Sequence, residues 1–144
     1  MITSVRRMLD DKSEVFAVGP ADSVYDALRL MAEKNIGAVL VLDRDRIAGI
    51  LSERDYARKV ILHGKSSRET TVAEIMTRDV ITIDPTWTAE QCMALMTERR
   101  IRHLPVLDRG RLAGIISIGD AVRAVLDEQL QVISSLERYI ASGA

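Results

Sequence analysis

The chain is poor in the residues that most chemistry needs. Cys92 is the single cysteine among 144 residues, so an internal disulfide is excluded and a reducing compartment, the cytoplasm, is expected. Only two histidines occur, His63 and His103, far apart and without cysteines at zinc-ligand spacing. No histidine lies in a nucleophile motif, and no G-x-G-x-x-G occurs. Gly64-Lys65-Ser66 imitates the end of a phosphate-binding loop, but Lys59 stands where the first glycine belongs and a helix precedes it instead of a strand. An enzyme is therefore not expected, and neither a catalytic cofactor nor a metal is implied. Charge of one sign is also missing: the net charge is -1 with no basic or acidic half, which argues against non-specific binding to nucleic acid. No run approaches the ~18 apolar residues of a membrane span, and the amino-terminal stretch carries charges where a secretory signal would be apolar. Aromatic residues make up 3% of the chain, so a core has to be built from Val, Ile, Leu, Ala and Met.

Apolar residues are plentiful at 47%, and their arrangement repeats. RIAGILSERD at Arg46–Asp55 returns as RLAGIISIGD at Arg111–Asp120. A shift of 65 positions aligns Val18–Val60 with Ile83–Val125 without a gap, with identities from Pro20/Pro85 through Met31/Met96 to Val60/Val125. Self-similarity of this kind marks two copies of one supersecondary unit, neither able to bury its apolar face alone. In copy one, Val15–Val18 reads as a strand ended by Gly19-Pro20. Asp22 or Ser23 caps a helix with apolar positions Val24, Ala27, Leu28, Met31 and Ala32. Asn35-Ile36-Gly37 closes it. Ala38–Leu42 and Ile47–Leu51 are strands joined by a polar turn, and Ser52 starts a second helix that Gly64 stops.

Copy two gives a strand at Val80–Ile83, a helix from Thr88, strands His103–Leu107 and Leu112–Ile116, and a helix from Ser117. Thr71-Val72-Ala73-Glu74 and Thr88-Ala89-Glu90-Gln91 have the form of capping boxes. The expected fold class is α+β, two β-α-β-β-α repeats about a pseudo-twofold axis. Residues 1–66 would form repeat one with an amino-terminal segment, and 67–144 repeat two with an extended last helix. Ser66–Glu69 is the one plausible linker. Along that last helix Val122, Leu126, Gln129, Ile133, Leu136 and Ile140 fall near a single seam. The seam either covers the chain's own core or joins two copies in a homodimer.

Each copy ends its apolar run in Ser-x-x-Asp: Ser52-Glu53-Arg54-Asp55 and Ser117-Ile118-Gly119-Asp120. A serine at the helix start with an acid three residues on is a capping box. The same pattern can hold a ligand. A strand running into a helix start presents free amide donors that suit a phosphate. A first-turn carboxylate accepts hydrogen bonds from a ribose diol, with the serine hydroxyl in support. Gly49 and Gly114 would let a ligand approach the backbone. Cap and site both stand at this point.

The paired pattern of an Ile, an apolar run ending in Leu-Asp, then Ala-Gly-Ile and Ser-x-x-Asp resembles the CBS domain, named after cystathionine β-synthase. The likeness runs from about Met8 to Leu126. It implies a Bateman module, two CBS copies enclosing two clefts. Such modules bind adenosine compounds such as AMP, ATP, NAD or S-adenosylmethionine and regulate an attached or partner protein. With no catalytic domain attached, the chain resembles a stand-alone sensor. Carried over, the resemblance puts Ile50, Ser52, Arg54 and Asp55 in one cleft, facing Arg102, His103 and Leu104, with Thr77, Val80 and Ile81 from the strand entering copy two. The other cleft would hold Ile115, Ser117, Gly119 and Asp120 with Gly37, Ala38, Val39, Val15 and Phe16. Gly37-Ala38 departs from the polar pair Arg102-His103, and Gly119 from Arg54, so phosphorylated ligands are expected to prefer the cleft of Asp55. The rival reading is a ligand-free interaction scaffold in which both Ser-x-x-Asp motifs are only caps.

Overall fold

The computed structural model describes residues 2–10 and 14–143. The chain divides into two compact units, Val15–Val80 and Met1–Glu14 with Ile81–Ala144. This differs from the expected division at 66/67. The segment before each repeat packs with the other repeat.

In the unit Val15–Val80, β1 (Ala17–Val18) runs parallel to β2 (Ala38–Asp43), which is antiparallel to β3 (Arg46–Ser52). Arg44 and Asp45 both take left-handed backbone angles, φ 51° and 68°, as a two-residue turn matched to strand twist requires. The register slips between Val41 and Leu42, leaving Ala48 as the extra residue of a bulge. Helix α2 (Val24–Lys34) starts at Ser23, whose hydroxyl accepts from the Asp26 amide, and ends at Asn35 in the left-handed region. It buries Val24, Ala27 and Met31 against Val39, Val41 and Leu51, while Ala32, expected on the same face, is exposed.

After β3 come α3 (Glu53–Lys59), a 3-10 turn at Ile61–His63 closed by left-handed Gly64, and α4 (Val72–Ile75). Ser66–Glu69 is not a free linker. The first turn of α2 has amide donors with no partner inside the helix. Val24 donates to the Thr70 carbonyl (2.9 Å) and Tyr25 to that of Ser67 (3.0 Å). The start of α4 is met in return, as Val72 and Ala73 donate to the Asp22 and Pro20 carbonyls. The Arg68 guanidinium also lies 4.1 Å from the centre of the Tyr25 ring.

The second unit repeats this plan. Helix α5 (Ala89–Arg99) begins in a capping box between Thr88 and Gln91, and β4 (His103–Asp108) pairs with β5 (Arg111–Ser117). Arg109 and Gly110 form the left-handed turn, and the register slips at the equivalent place. The strand expected at Val80–Ile83 is reduced to one bridge, Ile83 with Val106. In copy one the Leu40 amide donates to Phe16. The equivalent residue in copy two is Pro105, which has no N–H, so a longer parallel pairing loses that rung.

Helix α1 (Val5–Asp10) completes this unit. Val5 and Arg6 donate to the Trp87 and Pro85 carbonyls (2.7 and 3.0 Å), and Ala89 donates to Thr3. Val5 and Met8 join the core of Met96, Leu104, Val106 and Ile116. The final helix, α6 (Ile118–Ala141), buries Ala121 and Ala124. Its predicted seam instead lies exposed: Leu126 is 57% accessible, Ile133 49%, Leu136 57% and Ile140 74%. Covering its own core is therefore not the role of that seam.

Candidate functional site

Both Ser-x-x-Asp motifs fold as capping boxes. The Ser52 hydroxyl accepts from the Asp55 amide (3.1 Å), and Asp55 Oδ2 accepts from the Ser52 amide (3.0 Å). In copy two the Asp120 amide donates to Ser117 Oγ (3.1 Å), and the Ser117 amide to Asp120 Oδ2 (2.8 Å). The next amide donor is also held alike in both units: Glu53 donates to the Gly37 carbonyl (3.0 Å) and Ile118 to that of Arg102 (2.8 Å). Within each unit, then, the start of the middle strand adjoins the helix that carries the acid. His103 pairs with Ser117 across β4 and β5, as Ala38 does with Ser52 across β2 and β3.

Asp55 has more than a cap needs. Its carboxylate also accepts from the Ser52 hydroxyl (3.0 Å). The other oxygen, Oδ1, meets Lys59 Nζ at 3.0 Å and the Thr77 hydroxyl at 3.4 Å. Thr77 is placed by two backbone hydrogen bonds with Ile50 (3.0 and 2.9 Å). So Ile50, Ser52, Asp55 and Thr77, expected together, do gather in one unit. Arg54 points into solvent from the first turn of α3, and Val80 is half-buried a few residues beyond Thr77.

The other expected residues sit as follows. Val39 is wholly buried in the core of its unit and Leu104 in the core of the other, which turns both side chains to packing. Ala38 is buried, while Gly37, Val15 and Phe16 are half-buried. The Phe16 ring lies 5.1 Å from Lys34 Nζ. In the unit of Asp120, Arg102 and Gly119 are exposed, and Ile81, His103, Ile115 and Ser117 half-buried.

Two features differ from the expectations. Gly49 and Gly114 admit the chain's own segments rather than open space. A Cβ on Gly49 would lie 2.8 Å from both Met76 Sδ and the Thr77 carbonyl oxygen, and one on Gly114 2.5 Å from Leu9 Cδ2. Lys59 was missed as a partner of Asp55. Its i, i+4 spacing from an acid on one helix face was the available signal.

These two units, each a hairpin running into an acid-capped helix, define a tandem-repeat α+β fold. A family model, the CBS domain, matches residues 5–62 and 72–127. The chain belongs to the CBS-domain family. It is 54% identical to a protein with CBS domains from Burkholderia ambifaria MC40-6, with a TM-score of 0.85 over 88% of this chain and 96% of that one. It is 43% identical over 127 residues to the CBS domain-containing protein CBSX3, mitochondrial, of Arabidopsis thaliana, covering 85% of this chain. The chain spans 62% of the length of that plant relative. A hexameric CBS-CP12 protein from bloom-forming cyanobacteria is 26% identical, with a TM-score of 0.75 over 99% of this chain and 84% of its own. No helix among the described residues is long and apolar enough to cross a membrane.

Proposed function

We propose that the chain is a cytoplasmic, non-catalytic regulatory module that senses an adenine nucleotide such as AMP, ATP or NAD and passes occupancy to a partner protein or through assembly. The Burkholderia relative, named for signal transduction, supports the regulatory role. The observation that carries the ligand reading is the second oxygen of Asp55. A capping box uses one carboxylate oxygen on the serine, yet Oδ1 is directed beyond the box to a hydroxyl and an ammonium. A carboxylate in that position, 15% accessible, suits the hydroxyls of a ribose. Asp120 is the equivalent acid of a second, weaker site. Arg54 offers a phosphate a fixed charge near Asp55, where Gly119 offers none near Asp120.

Calorimetric titration of AMP into wild type, Asp55→Ala and Asp120→Ala tests this. Loss of a cap costs about 1 kcal/mol of stability. Loss of charge-assisted hydrogen bonds to a ribose weakens binding by roughly 1.5–3 kcal/mol, at least tenfold. Equal AMP affinity in wild type and Asp55→Ala ends the ribose assignment and leaves the interaction-scaffold reading.

The exposed seam of α6 supports assembly as a homodimer. Val122, Leu126, Gln129, Ile133, Leu136 and Ile140 alternate by four and three residues, the spacing by which two helices pack along a shared stripe.

A further inference from the structure

The ribose reading meets an obstacle at Asp55 itself. A carboxylate offers about four acceptor positions, and the donors present already match them. Oδ2 takes the Ser52 amide and hydroxyl, and Oδ1 takes Lys59 Nζ and the Thr77 hydroxyl. A diol needs two of these positions. The Ser52 amide belongs to the helix cap and moves only if α3 unwinds at its start, and the Ser52 oxygen is held in that cap by the Asp55 amide. The donors on Oδ1 are of another kind. The Thr77 hydroxyl can rotate to accept instead of donate, and Lys59, with a side chain 43% accessible, has water within reach of its ammonium group.

Lys59 also makes a second bond. Its Nζ donates to the Ile75 carbonyl (3.0 Å), the last residue of α4, so one ammonium ties the acid of α3 to the end of α4. The position equivalent to Lys59 in copy two is Ala124. Copy two therefore repeats the acid and its cap without a lysine one turn on.

We infer that Lys59 is a displaceable latch on the Asp55 carboxylate. A ligand bearing a cis-diol enters by exchanging its hydroxyls for the ammonium, and its entry releases the tie between α3 and α4 at Ile75. This inference rests on the ribose reading of Asp55 and adds the regulation of that site. It gives occupancy a local readout, because the segment that loses its Lys59 bond leads directly into Thr77. It also sets affinity, since each diol competes with an ion pair inside the protein before it gains anything.

The test uses adenosine, which is neutral and so feels no direct charge from Lys59, together with 2′-deoxyadenosine, which lacks the diol. Both are titrated by calorimetry into wild type, Lys59→Met, Lys59→Arg, Asp55→Asn and the double variant Lys59→Met with Asp55→Asn. Partly exposed ion pairs of this kind correspond to a factor of up to about fivefold. Lys59→Met should bind adenosine about threefold tighter than wild type, with no gain for 2′-deoxyadenosine and none in the double variant. Lys59→Arg, which keeps the cation, should stay near wild type. Equal adenosine binding by wild type and Lys59→Met, lost in Asp55→Asn, leaves the ribose reading standing and overturns the latch. A gain shared by 2′-deoxyadenosine overturns it too. Adenosine binding by neither wild type nor Lys59→Met overturns both readings together.

Discussion

Replacing Gly49 by alanine tests whether the segment at Met76-Thr77 is a built part of the Asp55 site. The added Cβ would sit 2.8 Å from the Thr77 carbonyl oxygen, 2.8 Å from Met76 Sδ and 2.9 Å from Met76 Cγ. The methionine can turn aside, but the carbonyl is backbone and is bonded to the Ile50 amide at 3.0 Å. Overpacking of this kind costs roughly 1–3 kcal/mol. If the strand-like contact with Ile50 opens, two backbone hydrogen bonds go with it at about 1 kcal/mol each. Gly49→Ala should therefore lose roughly 2–4 kcal/mol in urea unfolding. Gly114→Ala is the control: the nearest atoms its Cβ would meet belong to Leu9, closest at the tip of that flexible side chain, and about 1 kcal/mol is expected. Amide exchange should speed up at Ile50 and Thr77 in the first variant and stay unchanged there in the second. Equal losses for the two variants, or protected Ile50 and Thr77 amides in Gly49→Ala, would refute the idea that the backbone at Thr77 is fixed by that glycine.

Two further outcomes follow from the caps and the last helix. Hydrogen bonds from the Thr71 backbone and side chain, the largest causes, hold the Glu74 carboxyl below its ordinary value of 4.5. Its contribution to stability is thus present above pH 4.5 and lost as pH falls through the depressed value. Glu74→Gln should flatten the acid side of a thermal-melting profile, and an unchanged profile would show that this cap does not titrate with folding. Light scattering should find dimers for the full chain and monomers after removal of residues beyond Gln129, or after Leu126→Glu with Ile133→Glu. A full-length monomer at high micromolar concentration refutes the α6 interface.

Much of the local structure was legible because short-range rules governed it. The polar turn, the caps at Ser52, Thr88 and Ser117, and Asn35 as a left-handed stop all depend on residues within four positions of one another. The failures lie where partners are distant in sequence. Nothing local in Val5 or Met8 says that they pack into the core of copy two. Likewise Ser66–Glu69 looks like a polar linker until the unmatched amide of Tyr25 is seen to need the Ser67 carbonyl, with Val24 on that of neighbouring Thr70. Pro105 was visible, but its effect on the strand at Ile83 required the parallel pairing of copy one as a template. Ile50, Ser52, Asp55 and Thr77, which the family resemblance names together, lie within one unit, and that resemblance gave no hint of Lys59.

The repeated Ser-x-x-Asp motif carries less functional information than its repetition suggests. Two well-formed capping boxes account for both serines and for one oxygen of each acid, so helix initiation alone would keep the motif twice. What the caps leave unexplained is where the copies differ. Copy one adds Arg54 before its acid and Lys59 one turn after it, where copy two has Gly119 and Ala124. An ion pair with 43% and 15% accessible side chains contributes little to stability, and the Asp55 cap does not require it. Its effect falls on the carboxylate, which it holds oriented and occupied until a stronger set of donors arrives. On that argument the copies divide the work: the shared residues build two helix starts, and the unshared ones decide which acid takes a charged ligand.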